Sequence, residues 1–316
     1  MAAENVRRSR SRLASVLFSR DEHRLRAGWR LTLQAMLQIV LTLAIGCAAL
    51  ALPLPWSTRV LNPTSVWGLA AGALAELGAV TFSVWLVRRL LDHRSFASLG
   101  LRLRPQAYRD LVAGIGIAAA IMGFIYVAEW RLGWLSVAGF AWKTQSAWYV
   151  IGSSLAFLMI FGLVGWNEEV MSRGYHLQTL ASGLNLAWGL AISSAIFGAL
   201  HLTNPHATLM SAAGIFLAGL LLGYAYFRTG QLWCSIGLHI GWNFFEGVVL
   251  GFPVSGLATF RLVETRISGP DLWTGGAFGP EAGLIVVPAI LAGAVLIHLY
   301  GRRTYQSASG NPSRPV

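Results

Sequence analysis

Charge is scarce in this sequence, because only 12% of its 316 residues are Asp, Glu, Lys or Arg, about half the share of a soluble globular domain. A chain with so little charge cannot cover a water-exposed surface. This excludes an ordinary soluble domain and makes the lipid bilayer the expected solvent. The two cysteines exclude a disulfide framework. Lysine is nearly absent, since Lys143 is the only one.

The net charge of +11 therefore comes almost wholly from arginine. A basic balance can indicate nucleic-acid binding, but here the arginines lie in short segments between long apolar runs. Anionic lipid headgroups and the positive-inside rule account better for this distribution. We therefore expect the lipid bilayer as a partner and no nucleic acid.

Long apolar runs dominate what the sequence does contain: 55% of the residues are hydrophobic and the mean hydropathy is +0.58. Eight of these runs approach the roughly 20 residues that an α-helix needs to cross a bilayer. The predicted fold is therefore all-α, a polytopic membrane helix bundle of about eight transmembrane helices. Their approximate ranges are 31–52, 66–87, 111–128, 148–169, 186–202, 208–227, 232–251 and 282–300.

Three parts of the chain follow from this pattern. They are a basic cytoplasmic N-terminal segment (1–30) with eight arginines, a transmembrane domain (31–302) and a disordered C-terminal tail (303–316). Eight crossings put both termini on one side of the membrane. Assigning the basic segment to the cytoplasm places 19 of the 24 Lys and Arg residues on that side. The positive-inside rule therefore predicts an integral membrane protein with both termini in the cytoplasm.

Polar and ionisable side chains interrupt three of the apolar runs within residues 150–250. Because such groups are costly at membrane depth, each is a candidate for a working site. The candidates are Glu168, Glu169, Arg173, His201, His239 and Asn243. Glu169 precedes Arg173 by four residues, the favourable order for an ion pair on a helix.

The spacing of these candidates predicts that they meet. Glu168 and His201 lie at equal distances from a predicted turn at 182–185, so an antiparallel pair of helices brings them to one depth. His239 and Asn243 are four residues apart and share a helix face. We expect the side chains from these three helices to converge in the cytoplasmic half of the membrane.

Such a group has a defined chemistry. A carboxylate beside a neutral imidazole can take a proton from water, the role expected of Glu168 and His201. A second imidazole and a carboxamide can donate to an oxyanion, as His239 and Asn243 would. These roles amount to amide hydrolysis without a Ser or Cys nucleophile. Alternatively, Glu168, His201 and His239 would be three zinc ligands with a fourth position open for water. The residues alone do not distinguish water activated by Glu168 and His201 from water bound to zinc.

Three short motifs lie in order within this region. They read Glu168-Glu169-Val170-Met171-Ser172-Arg173, Phe197-Gly198-Ala199-Leu200-His201 and His239-Ile240-Gly241-Trp242-Asn243. At these residues the chain resembles the CPBP family of intramembrane proteases, which includes the type II CAAX prenyl endopeptidases and bacterial Abi proteins. The family pattern is E-E-x-x-x-R, F-x-x-x-H and H-x-x-x-N. Ser172 departs from it, since many members carry an aromatic residue there, and this difference is expected to alter packing or substrate fit.

The resemblance implies an intramembrane endopeptidase of a bacterial cytoplasmic membrane, with its protease domain in residues 31–302. It implies that Glu168 is the catalytic base and acts with His201 on the attacking water, while His239 and Asn243 stabilise the oxyanion. The second carboxylate and the arginine of the first motif support the site. The substrate is a membrane-associated peptide or protein; a CAAX-type or otherwise lipidated substrate belongs to one branch of the family. The resemblance specifies neither whether zinc is bound nor the oligomeric state.

Two functions of other classes are compatible with the residues alone. One is a non-proteolytic membrane scaffold or immunity protein of the same fold, and the other is a transporter with a polar relay. We find no corresponding pair of broken helices in two halves, which argues against transport. Glu76 is expected to form an interhelical hydrogen bond rather than line a cavity. Glu246 fits a site role and pairing with a neighbouring helix equally well, His206 is expected to be exposed, and segment 251–281 receives no role.

Overall fold

The computed structural model describes residues 16–18, 24–51, 62, 65–302 and 304. Helices make up most of this part of the chain. The longer helices are α1 (Ala27–Ala51), α2 (Val66–Leu90), α3 (Pro105–Arg131), α4 (Ala147–Gly183), α5 (Leu186–Leu200), α6 (Leu209–Thr229), α7 (Trp233–Asn243) and α8 (Val286–Gly301). Two strands are β1 (Leu135–Phe140) and β2 (Val263–Ile267). Short helical turns lie at Phe96–Leu99, Ala141–Thr144, His201–Thr203, Asp271–Thr274 and Pro280–Ala282.

Six helical runs of the described chain are long and apolar enough to cross a bilayer: α1 to α4, α5 together with the turn His201–Thr203, and α6. Helix α8 is a shorter apolar helix. The prediction of a polytopic helical membrane protein is therefore confirmed. The seventh predicted span, 232–251, corresponds to α7 continued directly by a π-helix over Phe244–Val249, so the helical run covers residues 233–249. The eighth begins at Val286 rather than near residue 282, because Pro280–Ala282 forms a separate 3-10 turn.

Helix α7 packs closely against α3, and most of its side chains are buried. Glycines make this approach possible. A Cβ atom at Gly237 would overlap the backbone of Leu111, and one at Gly114 would overlap the backbone of α7. Because protein surrounds α7, His239 and Asn243 are held inside the bundle.

The two-stranded antiparallel sheet is not predicted by the sequence. β1 pairs with β2 from Leu135↔Ile267 to Phe140↔Val263, with an irregularity between Val137 and Gly139. Helices α4 to α7 separate the strands along the chain, so there is no hairpin turn to reveal the pairing. The sheet therefore holds β1, which follows α3, against β2, which lies within segment 250–285.

A buried ion pair holds the start of α1. Arg30, which is 1% exposed, lies 2.5 Å from the carboxylate of Asp92. Arg24 and Arg88 reach the same carboxylate at 3.3 and 3.4 Å. Few residues of α1 are buried within the protein, as expected of a helix whose outer face meets lipid. The ion pair therefore anchors α1 to the end of α2.

The predicted boundaries at the chain ends can be compared with the structure only in part. Helix α1 begins at Ala27, so the last residues of the predicted segment 1–30 belong to the first membrane helix. Residues 1–15 and 19–23 of that segment lie outside the described residues, as do 303 and 305–316 of the predicted tail. The surface position of the basic segment and the disorder of the tail stay predictions.

Candidate active site

Helix α4 carries the first motif at a change in its winding. It runs as an α-helix over Ala147–Glu169, continues as a π-helix over Val170–His176 and then resumes as an α-helix. Such π-helical turns are frequent at functional sites. The two adjacent carboxylates before the turn have different surroundings: Glu169 is fully buried, whereas the Glu168 side chain is 24% exposed. This difference separates the roles available to them.

The Glu168 carboxylate faces two histidines. Its Oε2 atom lies 3.9 Å from Nε2 of His201 and 3.6 Å from Nε2 of His239. Among the described residues this oxygen is buried and has no direct hydrogen-bond partner. The two separations are longer than direct hydrogen bonds. All three atoms are therefore free to bind a shared fourth group.

Hydrogen bonds on the far side of each ring fix how the histidines face Glu168. Nδ1 of His201 lies 2.8 Å from the carbonyl oxygen of Phe197, and it must donate because a carbonyl only accepts. Nδ1 of His239 lies 2.9 Å from Oε1 of Glu169, which also only accepts when it is ionised. These partners place a proton on Nδ1 of both rings and leave the protonation of Nε2 unassigned. Nε2 is therefore the atom left for chemistry.

Behind His239 lies a buried ion pair. Glu169 Oε1 also accepts a hydrogen bond from Arg173 at 2.8 Å, and the arginine is only 1% exposed. The guanidinium carbon of Arg173 is 4.2 Å from the ring centroid of Phe197, a cation–π contact. The Phe197 ring meets His201 and His239 edge-on at centroid distances of 4.7 and 6.1 Å. Sequence reasoning gave Phe197 no role, although its place in the second motif is a signal that could have identified it.

The site opens onto a cavity of about 730 Å³. Its walls come from α1, α2, α4, α5, α6 and α7 together with segment 250–285. Carboxylates, histidines and an amide that line it include Glu76, Glu168, His201, His239, Asn243 and Glu281. Asn243 lies one turn beyond His239 on α7 and is 8% exposed. The structure thus brings the four residues expected to carry the chemistry to one cavity.

The other polar residues singled out in the sequence have varied positions. Glu76 lines the cavity, and the interhelical hydrogen bond expected for it is not found among the described residues. Glu246 is fully buried outside the cavity lining, near Gly279, and lies close enough to Glu281 for their carboxylates to repel each other. His206 is exposed, as expected. Glu281 was not predicted, because no motif marks it.

Zinc ligation is the alternative chemistry for Glu168, His201 and His239. Within the described part of the chain, no group of three His, Cys, Asp or Glu side chains is arranged to hold a metal ion. Zinc ligation by these three residues stays a prediction beside the metal-free mechanism.

Residues 150–245 match the protein family described as Type II CAAX prenyl endopeptidase Rce1-like. The matched segment contains all three motifs, which confirms the resemblance to the CPBP intramembrane proteases. It leaves α1, α2, α3 and segment 250–285 outside the match. No curated protein and no solved structure matches the chain significantly.

Proposed function

We propose, on the premise that residues 150–245 are a segment of the type II CAAX prenyl endopeptidase kind, that the protein is an intramembrane endopeptidase. It hydrolyses a peptide bond of a membrane-associated peptide or protein with water activated by glutamate and histidine. One observation carries this proposal. The Oε2 atom of Glu168, buried and without a direct partner in the described chain, faces Nε2 of His201 and of His239 at the wall of a cavity.

Glu168 acts as the general base in this proposal. The attacking water binds in front of Glu168 Oε2 and donates to it, while Nε2 of His201 accepts the second proton of the water as a hydrogen bond. As the water oxygen bonds to the substrate carbonyl carbon, a proton moves to Glu168. Glu168 then returns that proton to the amide nitrogen as the carbon–nitrogen bond breaks. One water is consumed and the products are an acid and an amine.

His239 and Asn243 stabilise the oxyanion that forms when the carbonyl carbon becomes tetrahedral. Glu169 accepts a hydrogen bond from Nδ1 of His239 and favours the imidazolium form, in which Nε2 also donates. Asn243 offers a carboxamide donor one helical turn away, from the same cavity wall. Donors aimed at developing negative charge are among the largest contributions to catalysis. Arg173 balances the charge of Glu169 in the buried cluster.

The substrate reaches the site from the membrane. Its cavity lies among membrane helices and its volume of about 730 Å³ falls in the range of pockets that hold a ligand. We propose a CAAX-type, lipidated peptide as the first substrate to test, because that is the activity the matched family is described by. From the arginine distribution we further propose that both termini face the cytoplasm of a bacterial cell.

The test uses purified protein in proteoliposomes and a quenched fluorescent peptide that ends in a farnesylated CAAX sequence, with the unprenylated peptide alongside. Wild type is compared with His201→Ala and with His206→Ala, a matched control whose histidine is exposed and outside the cavity lining. We expect His201→Ala to lower kcat by about 10²–10⁴-fold, the usual contribution of acid–base groups. His206→Ala should leave kcat unchanged. Equal kcat in the two variants, or no cleavage by wild type, would overturn the proposal.

A metal analysis combined with a chelator separates the two origins of the activated water. In the metal-free mechanism, cleavage persists after treatment with 1,10-phenanthroline, and the purified active protein holds less than one equivalent of zinc. Stoichiometric zinc that is lost together with activity would contradict the metal-free mechanism and favour zinc-bound water instead.

A further inference from the structure

Segment 250–285 contributes one side chain, Glu281, whose position no motif and no family match explains. Glu281 is 4% exposed and lines the cavity beside Trp242. It lies outside the matched residues 150–245. Burying a carboxylate without hydrogen bonds is costly, so the partners of Glu281 indicate what it does.

Glu281 binds α7 and its own loop at the same time. Oε1 accepts a hydrogen bond from Trp242 Nε1 at 3.0 Å. Oε2 accepts two more, from the Ser255 backbone N–H at 2.9 Å and from the Ser255 hydroxyl at 2.6 Å. Since Trp242 directly precedes Asn243, this carboxylate holds the part of α7 that carries the proposed oxyanion donors.

Ser255 extends the same network to His201. Its carbonyl oxygen accepts a hydrogen bond from the Asn204 side chain at 3.1 Å. The Asn204 backbone N–H in turn donates to the carbonyl of His201 at 3.1 Å and closes the turn on which His201 lies. Glu281 is also near enough to His201 for an electrostatic interaction. One continuous set of hydrogen bonds therefore runs from the His201 turn to α7.

The backbone at this junction is held in an unusual conformation. Ser255 has a φ of 46°, in the left-handed region that a residue with a side chain rarely adopts. Such a conformation is strained and persists only where its surroundings determine it. Here the Glu281 carboxylate binds the Ser255 amide, and Gly256 packs against the backbone of Pro205, which follows Asn204. The contact between the loop and the His201 turn is therefore closely defined.

We infer that Glu281 is a positioning residue that fixes the separation between His201 and the His239–Asn243 pair across the reacting centre. This inference rests on the proposed function. It assigns to segment 250–285 a task in the reaction: the loop joins the water-activating side of the site to the oxyanion side. Because a displacement of about 1 Å in a catalytic group can lower a rate by about 100-fold, loss of the link should affect turnover more than substrate binding.

The experiment compares Glu281→Gln and Trp242→Phe with Thr265→Val as a matched control. Thr265 donates a hydrogen bond to the Leu250 carbonyl at 2.6 Å within the same segment, but it does not line the cavity. With the farnesylated peptide in proteoliposomes, we expect the first two variants to lower kcat by about 10–100-fold with KM little changed. Thr265→Val should keep both constants. If Glu281→Gln has the kcat of the control, the inference is overturned.

A second variant tests the link between the two ends of the network. Asn204→Ala breaks it at the His201 turn, and Glu281→Gln breaks it at α7. If both act through one connection, the double variant loses no more kcat than the stronger single variant, because residues in one network are not additive. Losses that multiply would show two independent effects and contradict the inference.

A readout that does not depend on cleavage separates this inference from the proposed function. The rate at which diethyl pyrocarbonate modifies His201, followed by mass spectrometry, reports how firmly its turn is held. We expect a several-fold faster reaction in Glu281→Gln than in wild type and no change in Thr265→Val. If wild type cleaves no peptide, the proposed function fails, and the modification rate still tests the link. An unchanged rate in Glu281→Gln would contradict the link even if wild type cleaves.

Discussion

The substitution Glu169→Gln is expected to destabilise the protein far more than the same change at the adjacent residue, Glu168→Gln. Glu169 is fully buried, and its Oε1 atom accepts hydrogen bonds from Arg173 at 2.8 Å and from His239 at 2.9 Å. Glutamine keeps the size but removes the negative charge, so Arg173 stays buried without its counter-ion. The Glu168 side chain is 24% exposed and its Oε2 has no direct hydrogen bond in the described chain, so its charge can be removed at little cost.

The expected difference is large enough to measure. Removing one partner of a buried ion pair costs about 3–5 kcal/mol. A protein of a few hundred residues changes its Tm by roughly 2–4 °C per kcal/mol. Glu169→Gln should therefore lower Tm by about 6–20 °C. For Glu168→Gln we expect a change in the free energy of unfolding below about 1 kcal/mol.

Thermal unfolding of the purified variants in a single detergent measures both effects. The double variant Glu169→Gln/Arg173→Met is the matched control, because removing both charges leaves no unpaired guanidinium. It should recover most of the lost Tm without recovering cleavage, since His239 still lacks its carboxylate partner. If Glu169→Gln unfolds at the temperature of wild type, the reasoning about this buried cluster is refuted.

Gly237→Ala and Asp92→Asn test two contacts between helices, with Gly116→Ala as the control for the first. Gly237→Ala should destabilise the protein by about 1–3 kcal/mol, because a Cβ there overlaps the backbone of Leu111. Gly116→Ala on the open face of α3 should leave Tm unchanged or slightly raised; equal Tm values would contradict the proposed close approach of α3 and α7. Asp92→Asn removes the carboxylate that Arg30 contacts and should speed hydrogen exchange in α1. Unchanged exchange would refute that anchor.

Features that depend on local sequence could be predicted. The length of an apolar run predicts a membrane helix, which is why α1 to α6 match the predicted spans. The approach of Glu168 to His201 follows from their equal distances to the turn between α4 and α5, since antiparallel helices bring such residues level. The i, i+4 spacing likewise predicts the ion pair of Glu169 with Arg173.

Contacts between distant segments could not be predicted in this way. The strands β1 and β2 pair across the sequence of four helices, and the partners of Glu281 follow only from the path of segment 250–285. The hydrogen bond between Glu169 and His239 depends on how α4 and α7 are rotated against each other, which spacing within one helix does not specify. For the same reason, the sequence could not show whether Glu76 lines the cavity or forms an interhelical hydrogen bond.

The central claim is that Glu168 activates the water that cleaves the peptide bond. Its most direct test is kcat for the farnesylated peptide in proteoliposomes, measured for wild type, Glu168→Gln and the matched control Glu264→Gln, whose carboxylate is exposed on β2. We predict that Glu168→Gln lowers kcat by about 10²–10⁴-fold at an unchanged Tm, while Glu264→Gln behaves as wild type. A correctly folded Glu168→Gln protein that cleaves at the wild-type rate would contradict the claim.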